Sequence, residues 1–344
     1  MGKMITGLCY DLRSWYLDRG FTAEETAEFD REETVDALEE ALESLGYATR
    51  HIGNVYQLVE ALAAGQRWDL VFNITEGLYG PSRESVVPAL LDQYRIPYVF
   101  SNGEVLGVSL NKQLAKQVVA ARGVMVAPGF VVRDPAELET HHPVFPLFVK
   151  PLSEGTGKGI TGQSRVENAD QLRLAVERIL VENRQPALVE EFLPGREFTV
   201  GVTGQGASAR AIGAMEIFTG DEAVYSLEVK EHYETLARYA PVEGPMLEAC
   251  AAVALTAWEA LGGVDGGRID LRCDRRGRLC FIEANPLAGL HPVHSDLPML
   301  ARMAGISYRD LIGMIMTSAL GRTGHQTGKP LPPFQLPVTI PAKE

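Results

Sequence analysis

Cysteine is scarce: four stand in 344 residues, at positions 9, 250, 273 and 280, and no two form a CxxC pair. That spacing excludes a zinc ribbon and a disulfide-stapled scaffold and implies four reduced thiols in a cytoplasmic protein. Cys273 and Cys280 flank a turn between apolar runs and read as core residues. Also missing is any apolar run near the ~20 residues that cross a bilayer. The first ten residues lack the apolar core and cleavage site of a signal peptide, so no membrane partner is expected. Gly2 and Thr6 match the short myristoylation pattern, yet Ile5–Cys9 reads better as a buried first strand. Basic residues are the third shortage. Against 45 Asp+Glu stand 32 Lys+Arg, a formal net charge of −13, which excludes nucleic acid as a general partner because phosphates need a concentrated basic surface. No internal repeat is found. What remains is ordinary globular material of two or three domains, with 46% apolar residues, 34 Gly and 20 Pro.

Strand and helix patterns alternate through the first hundred residues. Ile5–Tyr10 is a strand, and an acidic stretch with ten acids and one Arg runs from Thr22 to Glu43. Its second half places Val35, Leu38, Leu42 and Leu45 on one helical face, ended by Gly46. A strand end at Arg50–Gly53, helix Val55–Ala64, strand Leu70–Ile74, helix Ser85–Arg95 and strand Tyr98–Phe100 follow. This spacing implies βαβ units and a parallel sheet. One helix is expected over 104–122, then strands at 130–132 and 145–150, a glycine-rich loop and a helix over 170–183. Residues 187–202 read as strand, turn, strand, and Ala209–Phe218 as another strand. After helix Leu247–Leu261, strands Gly267–Cys273 and Leu279–Glu283 form a hairpin around Asp274–Gly277. A last helix is expected over Leu297–Ala304 or Tyr308–Ala319.

The loop Ser153-Glu-Gly-Thr-Gly-Lys-Gly159 has glycines at alternate positions, which lets backbone N–H groups crowd a polyphosphate. It is neither a P-loop nor a dinucleotide fingerprint, and such a loop is also simply a turn. Lys150 ends the strand before it, within reach of the same phosphates. Glu283 and Asn285 share one strand face by their i, i+2 spacing, and hairpin pairing brings Asp270 to it. Two carboxylates and an amide oxygen form a hard set suited to Mg²⁺ held jointly with ATP. The competing reading is a structural salt bridge from Arg268 or Arg272.

The order Lys112, Phe148-Val-Lys150-Pro, Glu154-Gly-Thr-Gly, Val189-Glu-Glu-Phe-Leu, Glu197-Phe-Thr-Val, Gly267-Arg-Ile-Asp270 and Ile282-Glu-Ala-Asn285 resembles the ATP-grasp superfamily. Within it, Glu283–Ser295 is similar to the C-terminal signature of the D-alanine–D-alanine ligases, with one extra residue. The resemblance implies an α/β ATP-grasp fold, with a parallel N-terminal α/β domain and central and C-terminal α+β domains sandwiching ATP. The expected bounds are 1–103, 104–186 and 187–322, with a flexible tail over 323–344. It further implies that Lys112 and Lys150 contact phosphates and that Glu190, Glu191, Phe192 and Leu193 line the adenine site. Glu197 would accept the ribose hydroxyls, and Gly155, Thr156 and Gly157 would close over the triphosphate. Asp270, Glu283 and Asn285 would hold two Mg²⁺, for which Mn²⁺ substitutes. Lys230, in Tyr225–Lys230, matches a mobile-loop lysine that reaches the transferred phosphate. Arg268 and the Gly289 N–H would receive a tetrahedral oxyanion, and Ser295 would bind the acceptor's carboxylate, its bland reading being a helix cap.

The implied activity is ATP-dependent amide formation between two small amino acids through an acyl phosphate, with a homodimer as the implied assembly. Competing functions are a ligase for another donor, a kinase, and a catalytically silent nucleotide-binding protein. The donor end departs from the family. The segment supplying the acid that holds the first amino group is replaced by the acidic insertion, where Glu28, Asp30 or Glu32 are candidates. Glu84 matches an acidic family residue, while Glu76 and Arg83 are local. Arg83 is expected to bind a second carboxylate on the donor.

Overall fold

The computed structural model describes residues 3–155, 157–219 and 237–324. The expected phosphate contacts Thr156 and Lys230, the loop carrying Lys230, and residues 325–344 of the tail lie outside them.

Strands β1 (Ile5–Tyr10), β2 (Ala48–Gly53), β3 (Leu70–Ile74) and β4 (Tyr98–Val99) form a parallel sheet of order β2-β1-β3-β4. Both its faces are covered, so β3 is buried at all five positions, as a continuous apolar run requires. Leu8, Leu70 and Phe72 pack against Leu38 and Leu42 of helix α2 (Glu32–Ser44), after the short α1 (Arg13–Leu17). Cys9 and Val71 pack on the other face with α3 (Val55–Ala63) and α4 (Val86–Gln93). Gly46, at φ +98°, turns the chain out of α2 where the sequence places the stop.

The helix expected over 104–122 is two helices, α5 (Gly103–Leu110) and α6 (Lys112–Ala120). Asn111 breaks it with extended backbone and accepts the Leu114 N–H through its side chain, the N-cap preference of Asn overriding the continuous helical pattern. The break puts Lys112 in the first turn of α6. The helix expected over 170–183 is α7 (Ala169–Arg178), followed by a wider π-turn through Asn183.

Central strands β5 (Gly129–Val132), β6 (Leu147–Pro151), β7 (Arg165–Val166) and β8 (Ala187–Glu191) pair antiparallel in the order β5-β8-β6-β7, backed by α7. The third sheet, also antiparallel, has β9 (Glu197–Thr203), β10 (Arg210–Thr219), β11 (Ala237–Pro241), β12 (Gly266–Cys273) and β13 (Leu279–Asn285) in the order β11-β10-β9-β12-β13. The two strands read over 187–202 thus part company, β8 to the central sheet and β9 to the C-terminal one. On sheet pairing we place the domain boundary after Glu191 instead of at 186. Helix α8 (Gly244–Leu261) packs behind the third sheet, in a core that also takes Ala115 and Val119 of α6. Both alternatives for the last helix are present, as α9 (Asp296–Met303) and α10 (Tyr308–Thr323). Their Leu300, Ile312 and Ile315 join the N-terminal core, and α10 carries helix into the first residue of the expected tail. All four cysteines are buried and free. Among the described residues no helix is long and apolar enough to cross a membrane.

Candidate active site

Alternation along β12 decides what faces the cleft. Ile269, Leu271 and Cys273 turn into the core behind the sheet, so Arg268, Asp270 and Arg272 share the opposite face. The turn at Asp274–Gly277 sets the register as far as Leu271 opposite Phe281; a slip between Leu271 and Asp270 then brings Asp270 opposite Glu283 and Arg268 opposite Asn285. On the other side of β12, β9 places Thr199 beside Asp270 and Glu197 beside Arg272. In the central sheet, Val149 and Val189 enter the core, which leaves Phe148, Lys150 and Glu190 facing the same space. The two sheets face each other across an open cleft lined by Lys112, Lys150, Glu190, Glu191, Phe192, Leu193, Glu197, Asp270 and Glu283 among others. With Gly157, which lines it too, ten of the residues expected to hold nucleotide or metal therefore meet at one place.

Protein cations cover most of these acids. Lys112 Nζ lies 3.1 Å from Glu283 Oε2 and also donates to the Glu154 carbonyl. Arg268 pairs with Asp270, whose other oxygen accepts the Thr199 hydroxyl at 2.8 Å, and lies 3.5 Å from Asp296. Of the two salt bridges weighed for Asp270, the one with Arg268 is formed, whereas Arg272 pairs with Glu197 at 3.0 Å. Asn285 has its buried amide nitrogen without a hydrogen-bond partner. Among the described residues no three His, Cys, Asp or Glu gather as a metal cage. Asp270, Glu283 and Asn285 offer two carboxylates and an amide oxygen, which fits a divalent ion that takes its remaining ligands from phosphates and water.

Lys116, absent from the expected site, is buried beside Lys150, and both approach Glu190, Lys150 at 2.7 Å. Lys116 stands one helical turn beyond Lys112, so the signal was two lysines on one helix face. Burial, with the neighbouring Lys112 ammonium, brings Lys150 down to about 8. One Glu190 charge cannot neutralise two ammonium groups, which keeps that direction. Lys150 is thus charged at neutral pH and loses its charge above about 8, while the unfolded chain keeps it to about 10.4. Fold stability accordingly rises with pH through that window, and phosphate affinity falls. kcat/KM for ATP is expected to drop about tenfold per pH unit above 8. In Lys150→Arg, which stays charged, that limb should flatten; an unchanged limb would remove Lys150 as its source.

The glycine-rich loop divides in function. Gly157, at φ +75°, and Lys158 line the cleft. The Gly155 N–H instead donates to Glu28 Oε1 at 2.9 Å, so this amide faces the N-terminal domain. Arg83 is buried and committed, to Glu28 Oε2 at 2.8 Å, to the Ser153 carbonyl at 2.9 Å and to Glu154 at 3.6 Å. Arg83, expected to bind a second donor carboxylate, is here occupied by two of the protein's own acids and a backbone carbonyl. Of the three acids considered in the insertion, Glu28 reaches this region. Glu32 accepts the Ser14 hydroxyl, and Asp30 lies in the field of Asp11. Burial, with the charges of Glu84 and Glu28, raises Glu76 well above the usual carboxylate range. Glu84 is raised too, by burial first, with Arg83 opposing.

At the acceptor end, Ser295 occupies the N-cap position of α9 without capping it through its side chain. Its hydroxyl accepts the His291 N–H at 3.0 Å. A Cβ on Gly289 would stand 2.8 Å from that oxygen, which puts Gly289 and Ser295 side by side.

A family model described as D-ala D-ala ligase C-terminus matches residues 131–317. The D-alanine–D-alanine ligase of Geobacter sulfurreducens is 32% identical over 295 residues, which cover 82% of this chain and 87% of that protein. That of Bordetella pertussis is 32% identical over 266 residues, covering 76% and 81%. Among solved structures, the D-alanine–D-alanine ligase of Bacillus anthracis complexed with ATP superposes with a TM-score of 0.71 at 20% identity, over 94% of this chain and 99% of that one. The VanG D-Ala:D-Ser ligase from Enterococcus faecalis gives 0.72 at 17% identity, over 92% and 100%.

Proposed function

The chain belongs to the D-alanine–D-alanine ligase family and has its ATP-grasp fold, and from that premise we propose that it joins two small amino acids by an amide bond at the expense of ATP. D-Alanine is the first choice for donor and acceptor. The reading is carried by one observation: Arg268 and Asp270 on β12 stand opposite Asn285 and Glu283 on β13, across a cleft from Lys150.

A carboxylate is a poor electrophile, so the γ-phosphoryl group is first transferred to the donor, giving an acyl phosphate and ADP. Lys112 and Lys150 hold the phosphates, Glu190 to Leu193 border the adenine, and Glu197 accepts the ribose hydroxyls. Asp270, Glu283 and Asn285 would hold Mg²⁺, for which Mn²⁺ substitutes; the ions neutralise phosphate charge. Lys112 and Arg268 sit on two of these acids, so Glu283 and Asp270 would hold the metal in place of those ion pairs. Catalysis is then mainly positional and electrostatic. Burial holds Glu76 and Glu84 toward the neutral form, and the donor's ammonium, arriving beside them, would draw them to the charged form that holds it. The acceptor, held through its carboxylate by Ser295, attacks once its amine is deprotonated. Arg268 and the Gly289 N–H take the oxyanion, and phosphate leaves.

The test is phosphate release with ATP and Mg²⁺ across single D- and L-amino acids, with product masses read by mass spectrometry. D-Alanine-dependent phosphate and a dipeptide mass support the reading. Amide formation with another amino acid replaces D-alanine only. ATP hydrolysis without amide, or no nucleotide bound, overturns it.

A further inference from the structure

The glycine-rich loop is held from the N-terminal domain, which among the described residues contributes nothing to the lining of the nucleotide cleft. Glu28 and Arg83 lie 55 residues apart in the chain and meet at 2.8 Å, with side chains only 10% and 7% exposed. Together they grip three consecutive loop residues. Glu28 accepts the Gly155 N–H, and Arg83 donates to the Ser153 carbonyl and faces Glu154 at 3.6 Å. Of the gripped residues Glu154 also lines the cleft, as do Gly157 and Lys158 further along the loop. The chain also carries Glu84, on the donor side, directly after Arg83.

We propose that Glu28 and Arg83 are positioning residues: a clamp from the N-terminal domain that sets Ser153, Glu154 and Gly155, at the start of the glycine-rich loop, for the triphosphate. This rests on the ATP-dependent reading above. The physical reason is preorganisation. Each loop residue ordered only upon binding costs backbone entropy, and a misplaced phosphate donor weakens every contact that depends on it. Lys112, at the Glu154 carbonyl, and Gln185, at the Ser153 N–H, hold the same residues from other sides. Loss of the clamp therefore loosens the loop without unfolding it. The pair acts as a unit, because either side chain alone leaves a buried charge unpaired.

The experiment is calorimetric titration of the full chain with Mg²⁺ and a non-hydrolysable ATP analogue, without amino acids, paired with KM for ATP against kcat. Glu28→Ala and Arg83→Met are each expected to weaken analogue binding about tenfold and to raise KM for ATP more than they lower kcat. Glu28→Gln keeps an acceptor for the Gly155 N–H and should recover part of the loss, and Arg83→Lys likewise. The double variant should lose about as much as either single one. Gly155→Ala leaves every charge in place, yet its Cβ would meet Glu28 Oε1 at 2.5 Å, so it should weaken binding as well. Unchanged analogue affinity in Gly155→Ala and in the soluble members of the Glu28 and Arg83 series overturns the clamp while the ligase reading stands. A wild-type chain that does not bind the analogue overturns both.

Discussion

Arg268→Met is expected to lower kcat by a factor of ~10³ or more, with KM for ATP changed by less than about tenfold. A guanidinium supplied to a transferring phosphoryl group is worth ~10³–10⁵ in kcat, and one oxyanion donor ~10²–10³. Arg268 is a candidate for both roles because it stands on the cleft face of β12 opposite Asn285, between Asp270 and Asp296. The two acids are also the source of an alternative cause. Removing the cation strands them in a poorly solvated site, which destabilises the fold on its own account. Arg268→Lys separates the two. It keeps a charge near Asp270 and Asp296 but loses the planar, multi-donor fork, so stability should return while kcat stays down ~10²-fold. Analogue binding by both variants establishes that the cleft is intact. If Arg268→Met keeps kcat within about tenfold of wild type, Arg268 is only the salt-bridge partner of Asp270 and the oxyanion must be met elsewhere.

How far the site was legible from residues depends on the range of the interaction. Glu283 and Asn285 came out on one face because strand alternation is a local rule, but the turn alone would set Asp270 opposite Ile282, and only the register slip beside Asp270 brings it to Glu283. The loop after Lys150 announced itself by its glycines, though Gly155 turned out to serve Glu28 and not the cleft. Local rules also misled where a cap outranked propensity, as at Asn111, which splits one expected helix into two and so aims Lys112 at Glu283. Contacts made across the chain left no trace. The partner of Arg83 is an acid 55 positions away, and isolated Arg83 read naturally as a ligand for substrate. Nothing in residues 187–202 says that their two strands join different sheets, because that depends on β5 and β6 pairing with β8 and on β10 and β12 pairing with β9.

The same distance-blindness hides the residue whose loss should destabilise the fold most. Asp265 is fully buried, and its carboxylate accepts the Phe100 N–H at 2.8 Å, Arg322 at 2.7 Å and the Ser318 hydroxyl at 2.9 Å. It thereby ties the end of β4 and helix α10 to the turn before β12. Phe100 and Asp265 both adopt left-handed backbone, at φ +75° and +66°, a strain of ~1–3 kcal/mol each that persists only when surroundings over-determine it. Asp265→Ala removes those surroundings and leaves a backbone N–H and part of a guanidinium unpaired. The expected loss is ~3–5 kcal/mol, a large share of the ~5–15 kcal/mol that holds a typical domain. Asp265→Asn, which tolerates the left-handed region and still offers an acceptor, should lose clearly less. Thermal melting followed by circular dichroism reads the difference. Because Leu300 and Ile312 share a core with β1 and β3, a single transition in the wild-type chain should divide into two in Asp265→Ala as the N-terminal sheet parts from α10. A melt superimposable on wild type would mean that this shared core alone holds the two together.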